Sequence, residues 1–138
     1  MPLRLSAATT LILCLLVTPA LGATPGTYVG HTADKRPVSL QVSKTRVRSF
    51  KLQARFTCTD GTGFVASATF GSMKLKRNRF NATFHNKPGS LRTTLKGSIH
   101  GRKASGTIRR RARFSTARKL DPAGALVCTA STRFSARR

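Results

Sequence analysis

The sequence predicts an all-β fold, an antiparallel meander of about eight to nine strands that closes as a small barrel. Polar and apolar residues alternate with a period of two through most of the chain after residue 24, and no segment shows a helical period. Turn-forming residues separate these alternating runs. Cys58 and Cys128 fall on the inward parity of an early run and of the last run, so a bond between them would join an early strand to the last strand. A two-sheet β-sandwich is the alternative.

The alternation is clearest between residues 50 and 58, where Phe50, Phe56 and Cys58 share one parity and Lys51 and Arg55 share the other. This pattern predicts a strand with one face in the core and one in water. The other inward sets are, in chain order, Val38/Leu40/Val42, Phe64/Ala66/Ala68/Phe70, Phe80/Ala82/Phe84, Leu91/Thr93/Leu95/Gly97/Ile99, Ala104/Gly106/Ile108 and Leu126/Cys128/Ala130/Thr132/Phe134. We expect these large side chains to be buried: Tyr28, Phe50, Phe56, Phe70, Phe80, Phe84, Ile108 and Phe134.

Three places interrupt the alternation. Val47 and Phe50 have opposite parity, which predicts a β-bulge near residues 48–49. Arg110 has inward parity, so we expect its strand to end, bend or reach the rim of the sheet there. Residues 115–123 lack alternation and are expected to form a loop.

The first 23 residues have the features of a secretory signal peptide. Arg4 gives a positive start, residues 11–17 form an apolar core, and residues 19–23 offer a small-residue cleavage region. The apolar segment is shorter than the roughly 20 residues that span a bilayer. We therefore expect residues 1–23 to be cleaved, residues 24–138 to form a single secreted domain, and no transmembrane segment to remain. An uncleaved membrane anchor is the alternative.

The cysteine count supports an oxidising compartment. Cys14 would be lost with the leader, which leaves Cys58 and Cys128 as a pair. In an exported protein such a pair predicts one disulfide bond, with two free buried thiols as the alternative. No CxxC spacing is present to indicate a redox or zinc motif.

Several short motifs together resemble a known group. The segment Gly26-Thr27-Tyr28-Val29-Gly30-His31-Thr32 forms a G-x-Y-x-G-x-T opening. Residues 38–42, 47–50 and 80–84, a glycine-containing stretch at residues 97–108 and the late Cys128 follow it. This pattern is similar to small exported all-β proteins of unassigned function in high-GC actinobacteria. The resemblance implies the fold and export, and it carries over no catalytic residue.

The charge points to a class of partner. The chain has 26 Lys and Arg against three carboxylates and no Glu, a formal net charge of +23. Most basic residues in the strands have outward parity, so a strongly positive surface is expected. We also expect the protein to be a monomer. Arg109, Arg111 and Arg113 share one face of one strand and are the candidate anion-binding residues. The partners this predicts are non-specific polyanions: nucleic acid, an anionic cell-wall polymer or lipid head groups. A solvated cationic coat without a selected ligand is the alternative.

No residue pattern identifies a reaction, a cofactor or a metal site, so we expect a non-enzymatic protein. The rival from another class is a small secreted ribonuclease, in which a histidine paired with a lysine would carry out acid–base transfer; His31, His85 and His100 are the candidate histidines. His85 and His100 could meet across neighbouring strands. A protein-binding or inhibitor module that acts through its loops is a further alternative.

Overall fold

A computed structural model describes residues 22–86, 90–115 and 125–138, and all regular structure in these ranges is β. Within them no helix has the length and hydropathy needed to cross a membrane. Most of the leader and most of the loop expected at 115–123, including Asp121, lie outside the described residues. The strands are β1 (Gly26–Thr32), β2 (Pro37–Val42), β3 (Arg46–Cys58), β4 (Gly63–Phe70), β5 (Met73–Lys74), β6 (Arg79–Asn86), β7 (Leu91–His100), β8 (Lys103–Ser115) and β9 (Ala125–Arg137).

The strands form one antiparallel sheet in the order β4-β3-β2-β1-β9-β8-β7-β6, with β5 paired to the start of β3. A second pairing joins the end of β3 to β9, with Thr57 opposite Thr129 and Cys58 opposite Cys128. Strands β3, β2, β1 and β9 therefore close into a small barrel, which β4 extends on one side and β8, β7 and β6 extend on the other. The predicted meander with a small barrel is confirmed.

Two of the three predicted interruptions can be compared with the structure. Ser49 lies opposite Gln41 and Val47 lies opposite Val42, so Arg48 is the extra residue of a β-bulge, as predicted. Strand β8, by contrast, does not end at Arg110. It continues to Ser115 with Arg110 buried inside the fold, because the side chain finds partners there that parity alone does not reveal.

The core fills the space between the β1–β3 strands and the β6–β9 strands. Phe50 packs edge-on against Phe134, with ring centroids 5.1 Å apart, and against Phe80 at 6.2 Å. Six of the eight expected core residues are buried: Tyr28, Phe50, Phe56, Phe80, Ile108 and Phe134.

The expectation is wrong for Phe70 and Phe84, which are only partly buried. They belong to β4 and β6, the two end strands of the sheet, where no further strand covers the inward side chains. Their rings lie 4.8 Å apart and cover each other across the gap between these strands. Their contact therefore bridges the two ends of the sheet.

Glycines allow neighbouring strands to approach closely where the sheet curves. Gly97 of β7 lies opposite Gly106 of β8. A Cβ atom on Gly106 would lie 2.0 Å from the carbonyl oxygen of Lys96, and one on Gly97 would lie 2.5 Å from the Phe80 ring. Only residues without a side chain fit this pair, because the neighbouring backbone and the Phe80 ring leave no room for a Cβ atom.

The tyrosine of the opening motif ties the N-terminal segment to the rest of the fold. The Tyr28 ring is fully buried, and its hydroxyl oxygen lies 2.6 Å from the carbonyl oxygens of both Thr24 and Gly101. Ala23 extends this link, because its backbone N–H donates to the side-chain oxygen of Asn78. The G-x-Y motif is therefore a structural feature.

The predicted Cys58–Cys128 disulfide is present and connects positions 70 residues apart in the chain. Replacing both cysteines with alanine is expected to lower the free energy of unfolding by about 4 kcal/mol, because the unfolded chain loses a long cross-link. Urea denaturation followed by circular dichroism measures the change. Wild-type protein treated with a reductant should unfold at the same urea concentration as the double variant. An unchanged midpoint in both samples would contradict the role given to this bond.

Candidate anion-binding surface

The described carboxylates are engaged in local turns. Asp34 accepts a hydrogen bond from the Thr32 hydroxyl in the turn after β1. Asp60, between β3 and β4, accepts from the Thr62 hydroxyl at 2.6 Å and from the Thr62 backbone N–H at 3.0 Å. The Thr62 side-chain bond, followed by the backbone bond, lowers the pKa of Asp60. Both aspartates therefore stabilise turns between strands.

Strands β6 to β9 contain ten Lys and Arg residues and no acidic side chain. All but one of these ten are exposed on the outer side of the sheet. We call this side the basic face; its cationic residues are Arg79, Arg92, Lys96, Lys103, Arg109, Arg111, Arg113, Arg133 and Arg137. The positive surface expected from outward parity is thus present.

Strand register sets the order of charges across the basic face. Arg92 of β7 lies directly opposite Arg111 of β8, and Arg111 in turn lies opposite Thr129 of β9. In the adjoining row Arg109 lies between Thr94 and Ser131. Directly opposite side chains in antiparallel strands have Cβ atoms about 5 Å apart, so the Arg92 and Arg111 guanidinium groups repel each other.

Two shallow grooves lie on the basic face. The larger, about 520 Å³, is lined by Asn81, Thr83, Arg92, Thr94, Lys96, Thr107 and Arg109. The smaller, about 290 Å³, shares Arg92, Thr94 and Arg109 with it and reaches Arg111. Guanidinium, ammonium, hydroxyl and amide groups together offer many donors to an anion and no competing negative charge.

The structure separates the three predicted anion-binding residues. Arg109 and Arg111 line the grooves, whereas Arg113 is exposed further along β8, opposite Val127 and outside both. Arg92 and Lys96 complete the cluster, and the sequence reasoning did not include them in the site. Their outward parity was visible, but their position beside Arg109 and Arg111 depends on the β7–β8 register.

His85 and His100 do not meet across neighbouring strands. His85 lies near the end of β6 opposite Arg92, whereas His100 lies at the far end of β7 opposite Lys103. Eight residues of strand separate Arg92 from His100, roughly 26 Å at the usual rise. His31, on β1, is exposed next to neither of them. Among the described residues, no three His, Cys, Asp or Glu side chains are grouped so that they could hold a metal ion.

The chain matches no protein-family model, no curated protein and no solved structure. Its function must therefore be inferred from its own residues. Among the described residues, the basic face is the surface whose charges point most clearly to a class of ligand.

The placement of Arg92 directly opposite Arg111 has a measurable consequence for stability. Arg111→Gln removes one of two like charges that face each other, so it should raise the free energy of unfolding by about 0.2–1 kcal/mol at low salt. The gain should vanish near 1 M salt, where the Debye length is about 3 Å. Denaturation curves at both salt concentrations measure it.

Arg113→Gln is the matched control, because it removes the same charge from an outward position of the same strand that faces Val127. An equal gain in both variants would show that only the total charge matters.

Proposed function

We propose that the protein is an exported, non-enzymatic β-domain that binds a linear polyanion through the basic face. The observation that carries the proposal is the opposition of Arg92 and Arg111 within a surface that has no acidic side chain. Directly opposed like charges destabilise a sheet. An external anion that lies between them removes this repulsion and gains charge-assisted hydrogen bonds.

The dimensions of the basic face favour a chain over a single small ion. Arg109, Arg111 and Arg113 alternate along β8 and are spaced about 7 Å apart. This spacing is close to that of successive phosphates in a nucleic-acid strand. β8 has 13 residues, so the face extends for roughly 40 Å along this strand. A polymer with repeating negative groups can contact several of these cations at once.

The surroundings of the cations distinguish among polyanions. The outward positions of β6 to β8 contain no Phe, Tyr or Trp, and the imidazoles of His85 and His100 are their only aromatic rings, so bases have little surface on which to stack. They also lack apolar side chains that could enter a lipid layer. The mode of binding that remains is recognition of repeated phosphate, sulfate or carboxylate groups, without readout of a base sequence.

The disulfide supports export, because such bonds persist in oxidising compartments. An extracellular nucleic acid or an anionic cell-wall polymer is therefore the expected ligand class. A ribonuclease is not proposed: although His100 lies opposite Lys103, the chain has no Glu that could serve as a partner base.

The salt dependence of binding tests the proposal. Affinity for a duplex DNA and for a sulfated polysaccharide should fall linearly with salt on logarithmic axes. Replacing Arg92, Arg109 and Arg111 together with glutamine should reduce the DNA slope by up to about three units, because three fewer counterions are released. Fluorescence anisotropy over a salt series gives both slopes.

The control triple variant replaces Arg48, Lys51 and Arg55 with glutamine. These residues are exposed on β3, so the net charge changes equally at a different place. The proposal requires a smaller loss in this control. Equal losses would indicate a diffuse cationic coat, and tighter binding to anionic lipid vesicles than to either polymer would indicate a membrane ligand.

A further inference from the structure

One cation does not belong to the basic face. Arg110 points inward between the outward Arg109 and Arg111, and only 5% of its surface is exposed. A buried charge in a protein is normally paired with an opposite charge or fully hydrogen-bonded. Among the described residues no carboxylate pairs with Arg110: β6 to β9 contain no acidic side chain, and Asp34 and Asp60 lie in turns.

The contacts of Arg110 satisfy its guanidinium only in part. Nε donates to the Thr93 hydroxyl at 3.2 Å. The guanidinium carbon lies 5.1 Å from the Phe56 ring centre and 5.8 Å from that of Phe70, within the range of cation–π attraction. Nη1 is buried and has no hydrogen-bond partner in the described part of the chain. Burial also lowers the pKa of Arg110, which reflects the cost of keeping the charge there.

Arg110 lines a cavity of about 430 Å³ in the gap between the end strands β4 and β6. Phe70, Phe84 and Leu91 give it apolar walls, and Thr93 lies beside the arginine. The polar side chains of Ser67, Thr69, His85 and Asn86 also line it. Its volume falls within the range of pockets that hold small organic molecules, roughly 300–1,000 Å³. A cavity with both apolar and polar walls and one incompletely satisfied buried charge suits a ligand that has an apolar body and a polar end.

We propose that this cavity binds a small amphipathic carboxylate, whose carboxyl group pairs with the Arg110 guanidinium and whose apolar body lies against Phe70, Phe84 and Leu91. A carboxylate supplies a negative charge and acceptors to a guanidinium that the described residues satisfy only in part. The Arg110 side chain and the cavity lie on the inner side of the sheet and Arg109 and Arg111 lie on the outer side, although Arg110 also lines the smaller groove of the basic face.

Binding of 4-phenylbutyrate tests the proposal, with the neutral 4-phenylbutyramide as a matched ligand. Titration calorimetry on the oxidised protein should show the carboxylate bound at least about tenfold more tightly than the amide, because only the carboxylate pairs with Arg110. In NMR spectra, contacts should appear between the phenyl protons of the probe and the methyl groups of Leu91. This measurement needs no variant.

Arg110→Met removes the charge and retains an apolar chain, a change that buried ion sites often tolerate. It should weaken 4-phenylbutyrate binding at least about tenfold and leave the circular dichroism spectrum unchanged. The Arg109→Gln/Arg111→Gln variant is the control and should bind the probe like the wild type. Equal affinity for the amide, no binding of the carboxylate below about 1 mM, or the absence of Leu91 contacts would overturn the proposal.

Discussion

The pairing of β3 with β9 is the constraint on which the other features depend. It brings Cys58 opposite Cys128 and turns a linear meander into a closed barrel of four strands. Because the barrel is closed, the strands that continue the sheet from β9 (β8, β7 and β6) each have one face toward the core and one face toward solvent. The alternation along β8 then sends Arg109 and Arg111 to the outer face and Arg110 to the inner one. The proposed polymer surface and the proposed cavity are thus two sides of the same strand.

This closure also explains how so cationic a chain can hold a folded state. A net charge of +23 makes the compact state repel itself. Aromatic packing around Phe50 and the cross-link over 70 residues act against that repulsion. The like charges of Arg92 and Arg111, which oppose each other without helping the fold, are the basis of the proposed polymer surface.

Local pattern predicted most of the fold and little of the site. The parity of Phe50 and Phe56 and the bulge at Arg48 follow from near neighbours in the chain, so they were visible in the sequence. Parity does not say which strands end a sheet, which is why Phe70 and Phe84 are less buried than expected. The neighbours of Arg109 depend on register between strands, and the burial of Arg110 depends on a hydroxyl and two rings from three other strands. Neither relation is present in a one-dimensional pattern.

The central claim is that the cations of β7 and β8 form a distinct binding face and are not simply part of a uniformly cationic surface. An amide NMR titration with a short sulfated oligosaccharide at low salt tests this claim most directly. The account predicts that the largest shift changes occur around Arg92, Lys96, Arg109 and Arg111. Changes of equal size around Lys51 and Arg55, on the outer side of β3, would contradict it.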